Sequence, residues 1–379
     1  MKKTLILIVS ILFIILVACD SGNSGEEDEG SIDNVSMATY EVESSGYADV
    51  SAVADKLSED YDMKIDLLPS GTGVGRMSMM NSGKTQFGKL GDEYQFNYRA
   101  IEEYAAKDKG PEPDLRVVWG IMTNIGGAVM EDSDIEDPED LEGKKVPYIE
   151  GNSSINIKTN SLLAMGDLTW DDVEQVQLSS YGDQAEALSQ GKIDVASMIP
   201  GASALVEVDE LEGVKWVQLP DSSDEEAWEA GREHTPWIVP NEWTEGAGIS
   251  EDNPELFMSY PYPIVTREDT DPEIVKELVT RIADSYEGYK DSTSETSTWG
   301  KEEVSTTPLG VPYHEGAIEY FEENDMWDDD KAEENEKLKE NGKEIEEEWN
   351  EIIEKAEEEG IADDEFPEYW QEEREEISE

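Results

Sequence analysis

A single cysteine, two histidines and a shortage of cations set the first limits on this 379-residue chain. Cys19 stands alone near the start, so no intrachain disulfide can form and no thiol lies deeper in the chain for catalysis. With only His234 and His314, a multi-histidine zinc site and histidine-based acid–base chemistry are poorly provided for. Lys and Arg total 28 against 93 Asp and Glu, a formal net charge of −65. A field of that sign repels nucleic acid and anionic lipid, and neither is expected as a partner. The acids are spread along the chain, without the Asp-x-Asp-x-Asp-Gly spacing of a calcium loop. They read as a solvated, halophilic surface, suited to salt that screens repulsion within a few ångströms. No cofactor and no metal is expected.

What the chain does have begins at its start, "MKKTLILIVSILFIILVACDSG". Two lysines precede an apolar run from Leu5 to Ala18, too short to span a bilayer comfortably and shaped like a secretory signal, residues 1–18. Leu16-Val17-Ala18-Cys19 resembles the bacterial lipobox, in which cleavage leaves a lipidated cysteine. The expectation is an extracytoplasmic, periplasmic-type lipoprotein anchored to the outer face of the cell membrane through Cys19. An ordinary signal with an incidental cysteine is the other reading. Residues 19–35 then form a flexible acidic tether.

"NSGKTQFG", residues 81–88, contains Gly83-Lys84-Thr85, the end of a nucleotide-binding P-loop. A P-loop needs glycine where Ser78 stands, and a strand before the loop with a helix after it. Here "VGRMSMMN" reads as helix and "TQFGKL" as strand, the reverse order. "SQGKIDVA", residues 189–196, repeats the arrangement of helix, Gly-Lys and strand. Both glycines are therefore expected to end helices in left-handed caps. The repeat points to two similar lobes.

Hydrophobic spacing supports that architecture. "VSMATYEV" and "MKIDLLPSG" alternate as strands, whereas "DVSAVADKLSEDY" sets Val50, Val53, Ala54 and Leu57 on one helical face. From Asp137 the pattern of helix, strand, glycine loop, helix and strand recurs, which argues for an α/β fold with largely parallel sheets. The apolar runs "VWGIMTNIGGAVM" and "YPYPIVTRED" are expected to cross between lobes, with hinges near Gly126 and Tyr262. Lobe one would comprise residues 36–125 and 263–327, and lobe two residues 126–262. Residues 328–379 form an acidic helical tail, on which Ile345, Trp349, Ile352, Ile353 and Ala356 make a narrow apolar stripe. That stripe packs on the body or awaits a partner protein.

In order along the chain, "SSGYADVSAVADKL", "LLPSGTGVGRMSMMNSGKTQFG", "DLEGKKVPYIEGNSSINIKTNSLLAMGDLTWDDV", "ALSQGKIDVASMIPGAS" and "LGVPYHEGAIEYFEE" resemble the solute receptors of TRAP transporters, TAXI branch. The resemblance covers about Ser36 to Trp327. It implies a two-lobed periplasmic-binding-protein fold (type II-like) with hinge-crossing strands and no enzymatic activity. It further implies capture of a small organic solute, a carboxylate or amino-acid-like compound, for delivery to an ion-gradient-driven TRAP permease. The chain departs from the pattern where ligands bind: Arg76 replaces an asparagine, Asn156 and Lys158 replace acidic and amide residues, and Gly91 and Glu93 replace Gln and Asp.

A site between lobes is built from loops at strand C-termini, where glycine and hydroxyl residues let backbone N–H groups reach an anion. Ser44, Ser45, Gly46 and Tyr47 open one helix; Ser70, Gly71, Thr72 and Gly73 open a second; Gly151, Asn152, Ser153 and Ser154 open a third. The same residues also serve as ordinary N-caps. Arg76 and Lys158 follow two of these loops, and an arginine fork can hold a carboxylate through two parallel hydrogen bonds. Glu93 and Gly201 join the candidates through the family pattern. Tyr94, Trp119, Tyr148, Trp237 and Trp243 are aromatic candidates for the cleft, or else core. Rival readings are the binding protein of an ATP-driven importer, a secreted carboxylate-based hydrolase, and an acidic lipoprotein without a ligand.

Overall fold

The computed structural model describes residues 33–308 and 310–378. The expected signal, Cys19 and nearly all of the tether lie outside them. The first described strand, β1 (Asn34–Thr39), begins just inside the expected tether. It is followed by α1 (Ser45–Tyr61), β2 (Lys64–Pro69), α2 (Gly73–Asn81), β3 (Phe87–Lys89), α3 (Glu93–Arg99), β4 (Leu115–Trp119) and β5 (Met122–Met130). Next come β6 (Lys145–Ile149), α4 (Ser153–Ala164), β7 (Glu174–Leu178), α5 (Asp183–Ser189), β8 (Ala196–Met198), α6 (Ser203–Glu212), β9 (Val214–Trp216), α7 (Glu225–His234), β10 (Val239–Trp243) and β11 (Glu255–Pro261). The chain closes with β12 (Ile264–Arg267), α8 (Pro272–Asp284), α9 (Tyr286–Tyr289), α10 (Glu315–Glu323), α11 (Asp329–Glu359) and α12 (Phe366–Ser378).

The strands form two main sheets, each with its own core. In the first, ordered β2-β1-β3-β12-β4, β1 pairs in parallel with β2 and β3, and β12 runs antiparallel to both its neighbours. Val50, Val53 and Leu57 of α1 lie in its core, as the spacing predicts, while Ala54 stays half-buried. In the second sheet, ordered β10-β11-β5-β8 with β9 also on β5, every pairing is antiparallel. This corrects the expectation of largely parallel sheets. β5 carries the chain into lobe two and β11, its neighbour, carries it back, so the two must run in opposite directions. Parallel pairing in lobe two is confined to β6 and β7.

The passages between sheets are short. Gly120 and Ile121 separate β4 from β5, and Tyr262 and Pro263 separate β11 from β12. The boundary expected at Gly126 falls instead within β5, where Gly126 pairs with Met198. The continuous apolar run hid a break that the sheets impose six residues earlier.

The two Gly-Lys turns are matching helix ends. At α2, Gly83 (φ 70°) donates to Met80 O at 2.9 Å and Lys84 donates to Met79 O at 2.9 Å. At α5, Gly191 (φ 65°) donates to Leu188 O at 2.9 Å and Lys192 to Ala187 O at 2.8 Å. This pair of bonds from the two residues after the cap is the Schellman motif, and it requires the left-handed conformation that glycine adopts without strain. Gly83-Lys84-Thr85 therefore ends a helix and cradles no phosphate.

The acidic tail docks on lobe one. Trp349 meets Phe366 and Trp370 edge-to-face, with ring centroids 5.1 Å and 4.8 Å apart. With Ile345, Ile352 and Ala356 they cover Ala100 and Ala105. Trp370 Nε1 donates to Ala100 O (2.8 Å), and Tyr98 Oη donates to Leu338 O (2.6 Å). The stripe legible in the sequence is thus covered by the protein itself, with Ile353 only partly buried.

Candidate functional site

The loops at the carboxyl ends of β1, β2, β3 and β6 converge between the lobes. Ser44 caps α1, its Oγ accepting from Tyr47 N (3.2 Å), and Thr72 caps α2, accepting from Gly75 N (3.2 Å). Gly46 approaches the crossover so closely that a Cβ there would fall 2.0 Å from the Tyr262 hydroxyl. Across the cleft, Gly73 N donates to Gly151 O (3.1 Å), and Ser153 N donates to Glu103 Oε1 (2.9 Å). Gly71 lies between Glu41 and Ser180, and Gly201 lies against Ser294 and Glu295. Asn152 occupies the N-cap position of α4 without capping it, and both atoms of its buried side-chain amide lack a partner.

Arg76 lies at the centre, fully buried. Its Nε donates to Glu93 Oε1 (2.7 Å), its Nη1 donates to Ser70 O (2.9 Å), and its guanidinium carbon stands 3.2 Å from the Tyr40 ring centroid. Burial is the largest single influence and would lower its pKa, but the charge and hydrogen bond of Glu93 together with Tyr40 and Tyr262 outweigh it, and the net shift is upward. Arg76 Nη2 and Glu93 Oε2 are both buried without a partner. The sequence offers Arg76 as an open fork for a solute carboxylate; in the structure Glu93 already occupies one side of it.

Lys158 is likewise engaged. Its ammonium meets Asp92 Oδ2, donates to Ser154 O (2.8 Å) and lies 3.8 Å from the Tyr260 ring centroid. Asp92 also accepts from Ser154 Oγ (3.0 Å) and from Trp237 Nε1 (2.7 Å). Asp92 follows β3 in lobe one, whereas Lys158, Ser154 and Trp237 belong to lobe two, so this carboxylate ties the lobes together. Burial pulls the Lys158 ammonium well below its usual range, and the carboxylate opposite favours the charged form.

A third charged group sits at the crossover. Lys89 donates to Tyr262 O and lies 3.5 Å from the Tyr262 ring centroid. Asp49 accepts from Thr293 Oγ1 (2.7 Å), and Glu295 accepts from Thr123 Oγ1 (2.9 Å). Burial is the leading cause of every shift here: Glu295 is pushed up to about 8, Asp49 up to about 6 and Lys89 down to about 7.

Several sequence candidates lie elsewhere. Tyr94 and Trp119 belong to the lobe-one core, Trp119 stacking on Phe321. Trp243 pairs with Glu255, at the end of β11 remote from the crossover, and Tyr148 packs on Trp170. Tyr47 is half-buried in the first turn of α1, and Ser45 Oγ is buried without a partner. Asp92, Lys89, Tyr40, Tyr260 and Tyr262 were not singled out from the sequence as binding residues. Their partners lie far off in the chain, and only the Asp-Glu pair opening "DEYQFNYR" marked the place.

At its rim the cleft widens into a groove of about 540 Å³, bounded by Glu41 and Gly71 of lobe one and by Ser180, Asp183 and Glu207 of lobe two. Two sheets joined by two short crossings, with polar loops between them, define the class: a two-lobed α/β fold of the binding-protein type. A family profile described as "NMT1-like family" matches residues 45–324, and the chain belongs to that family. No curated protein sequence matches it. Among solved structures it is similar to the periplasmic aliphatic sulphonate binding protein SsuA from Escherichia coli (15% identity, 83% of this chain and 88% of that chain, TM-score 0.44). It is also similar to an amino acid ABC transporter substrate-binding protein from Streptococcus pneumoniae bound to L-arginine (15%, 70% and 93%, TM-score 0.41). A third likeness is to a structure from the glutathione import system of Streptococcus mutans, via GshT and the cystine ABC importer TcyBC (16%, 68% and 90%, TM-score 0.41).

Proposed function

We propose that this protein is an extracytoplasmic receptor that closes two lobes on a small organic solute and presents it to a membrane importer. One observation carries the reading. Buried polar atoms without partners, namely Arg76 Nη2, Glu93 Oε2, the Asn152 amide and Ser45 Oγ, gather where the helix-opening loops of both lobes meet. Such atoms cost free energy unless something bonds them, and a solute between the lobes would do so. The test is mass spectrometry of what copurifies with the mature protein, followed by scattering with that solute removed and restored. Contraction on restoring it supports the receptor. A particle of unchanged dimensions with every solute tried refutes it.

The importer class is a separate question. The family match names no permease, and the transporters named among the similar structures are ATP-driven, so an ATP-driven importer takes precedence as partner. The ion-gradient-driven TRAP permease of the TAXI branch is the second reading, resting on the ordered motifs between Ser36 and Trp327. Uptake that survives collapse of ion gradients but needs ATP selects the first; the opposite dependence selects the second. Anchoring through lipid on Cys19 is part of the same proposal, and palmitate labelling that Cys19→Ser abolishes would support it.

A further inference from the structure

Resting on the receptor reading, we infer that the solute is a zwitterion bearing a protonated amine, not the net anion that the loops alone suggest. The two cations beside the helix-opening loops are already neutralised: Arg76 faces Glu93 and Lys158 faces Asp92. Among the charged groups here, what remains unpartnered is mostly acceptor. Glu41 Oε2, Glu93 Oε2 and Glu103 Oε2 are buried carboxylate oxygens without a donor, against one cationic donor, Arg76 Nη2. Arg76 and Glu93 are fully or almost fully buried, so solvent does not satisfy them.

A dicarboxylate brought here would give Arg76 an acceptor but set its second charge among these orphan carboxylates, where like charges repel. A solute with one acid group and one ammonium satisfies both sides. Its acid oxygen takes the Arg76 Nη2 hydrogen, and its N–H groups donate to Glu93 Oε2 and a neighbouring carboxylate. The approach has the same bias. The groove at the cleft rim is lined by Glu41, Glu43, Asp183, Glu186, Glu207 and Glu212, with no basic residue in its lining. That field slows anions and concentrates cationic groups.

The experiment is a thermal-shift panel on the wild-type protein, with calorimetry on the hits. Its arms are net-neutral amino acids and ω-amino acids, dicarboxylates of matched length (succinate, glutarate), and uncharged polyols. Hits are expected among amine-bearing zwitterions alone. Glu93→Gln should weaken those hits about tenfold or more, the loss of one charge-assisted hydrogen bond, and should improve the dicarboxylates relative to them. Saturable binding of a dicarboxylate or polyol in preference to every zwitterion overturns the inference, as does a zwitterion hit indifferent to Glu93→Gln. The wild-type panel decides even if the variant does not fold. If some other solute class contracts the protein in scattering while no zwitterion binds, the inference fails and the receptor stands. If no solute contracts it, the receptor reading fails and takes this inference with it.

Discussion

Replacing Asp92 with Asn should penalise closing of the lobes and leave their folding almost untouched. Asp92 is a lobe-one carboxylate whose side-chain partners, Lys158, Ser154 and Trp237, all belong to lobe two. In the closed protein Lys158 is fully buried, and the variant leaves its charge there without compensation. Breaking one side of a buried ion pair costs about 3–5 kcal/mol. At about 1.4 kcal/mol per decade this is a loss of roughly 100-fold to a few thousand-fold in solute affinity. Burial already pulls the Lys158 pKa down, so the ammonium can shed its proton instead, and the loss should shrink as pH rises. Parting the lobes would separate Lys158 from residue 92 in either protein, so the missing carboxylate should then matter little. The assay is calorimetry with the copurifying solute across a pH series, beside thermal melts of the solute-free protein. Unchanged affinity would refute the reasoning. So would a loss of the full amount, about 3–5 kcal/mol, in the stability of the solute-free protein, because the pair would then hold the fold and not the closure. Asp92→Asn combined with Lys158→Met should recover much of the affinity, since no stranded charge remains.

Four further outcomes are expected. Glu295, raised by burial to about 8 from 4.5, keeps its proton in the folded protein; stability should therefore fall as pH rises between those values, while Lys89, lowered to about 7 from 10.5, returns stability above pH 7. Glu295→Gln should flatten the acid-side decline, read as urea midpoints at pH 5 and pH 8; an unaltered slope would exclude Glu295 as its source. Gly83→Ala meets no atom within 4 Å but forces alanine to a φ of 70°, so it should cost about 1–2 kcal/mol with no change in solute affinity. Trp349→Ala should cost about 3–5 kcal/mol and free the tail to limited proteolysis, because the ring anchors both tail helices. Melting temperature should rise with added salt as the 93 acidic residues are screened; a flat response would remove the high-salt reading.

The fold was legible where local chemistry dictates it. Two glycine caps, the apolar face of α1 and the tail stripe follow from spacing that no distant contact overrides. The sheet directions were not, since β5 and β11 are antiparallel only because one enters lobe two and the other leaves it. At the site, the helix-opening loops could be read because serine, threonine and glycine announce them. Their charges could not. Arg76 looked like a free anion hook until folding placed Glu93 against it, and Lys158 until Asp92 arrived from 66 residues away. A sequence shows which cations are scarce; only the fold shows which are already spoken for.

Both described ends of the chain belong to the same half. β1 lies in the first sheet and α12 is fastened to Ala100, while lobe two is an insertion reached through two short crossings. A mechanical load applied at the ends would therefore unravel lobe one first, and lobe two would lengthen the thread only after its neighbour had come apart. A C-terminal attachment to a bead or sensor chip grips that half alone, leaving the other free to swing over its cargo.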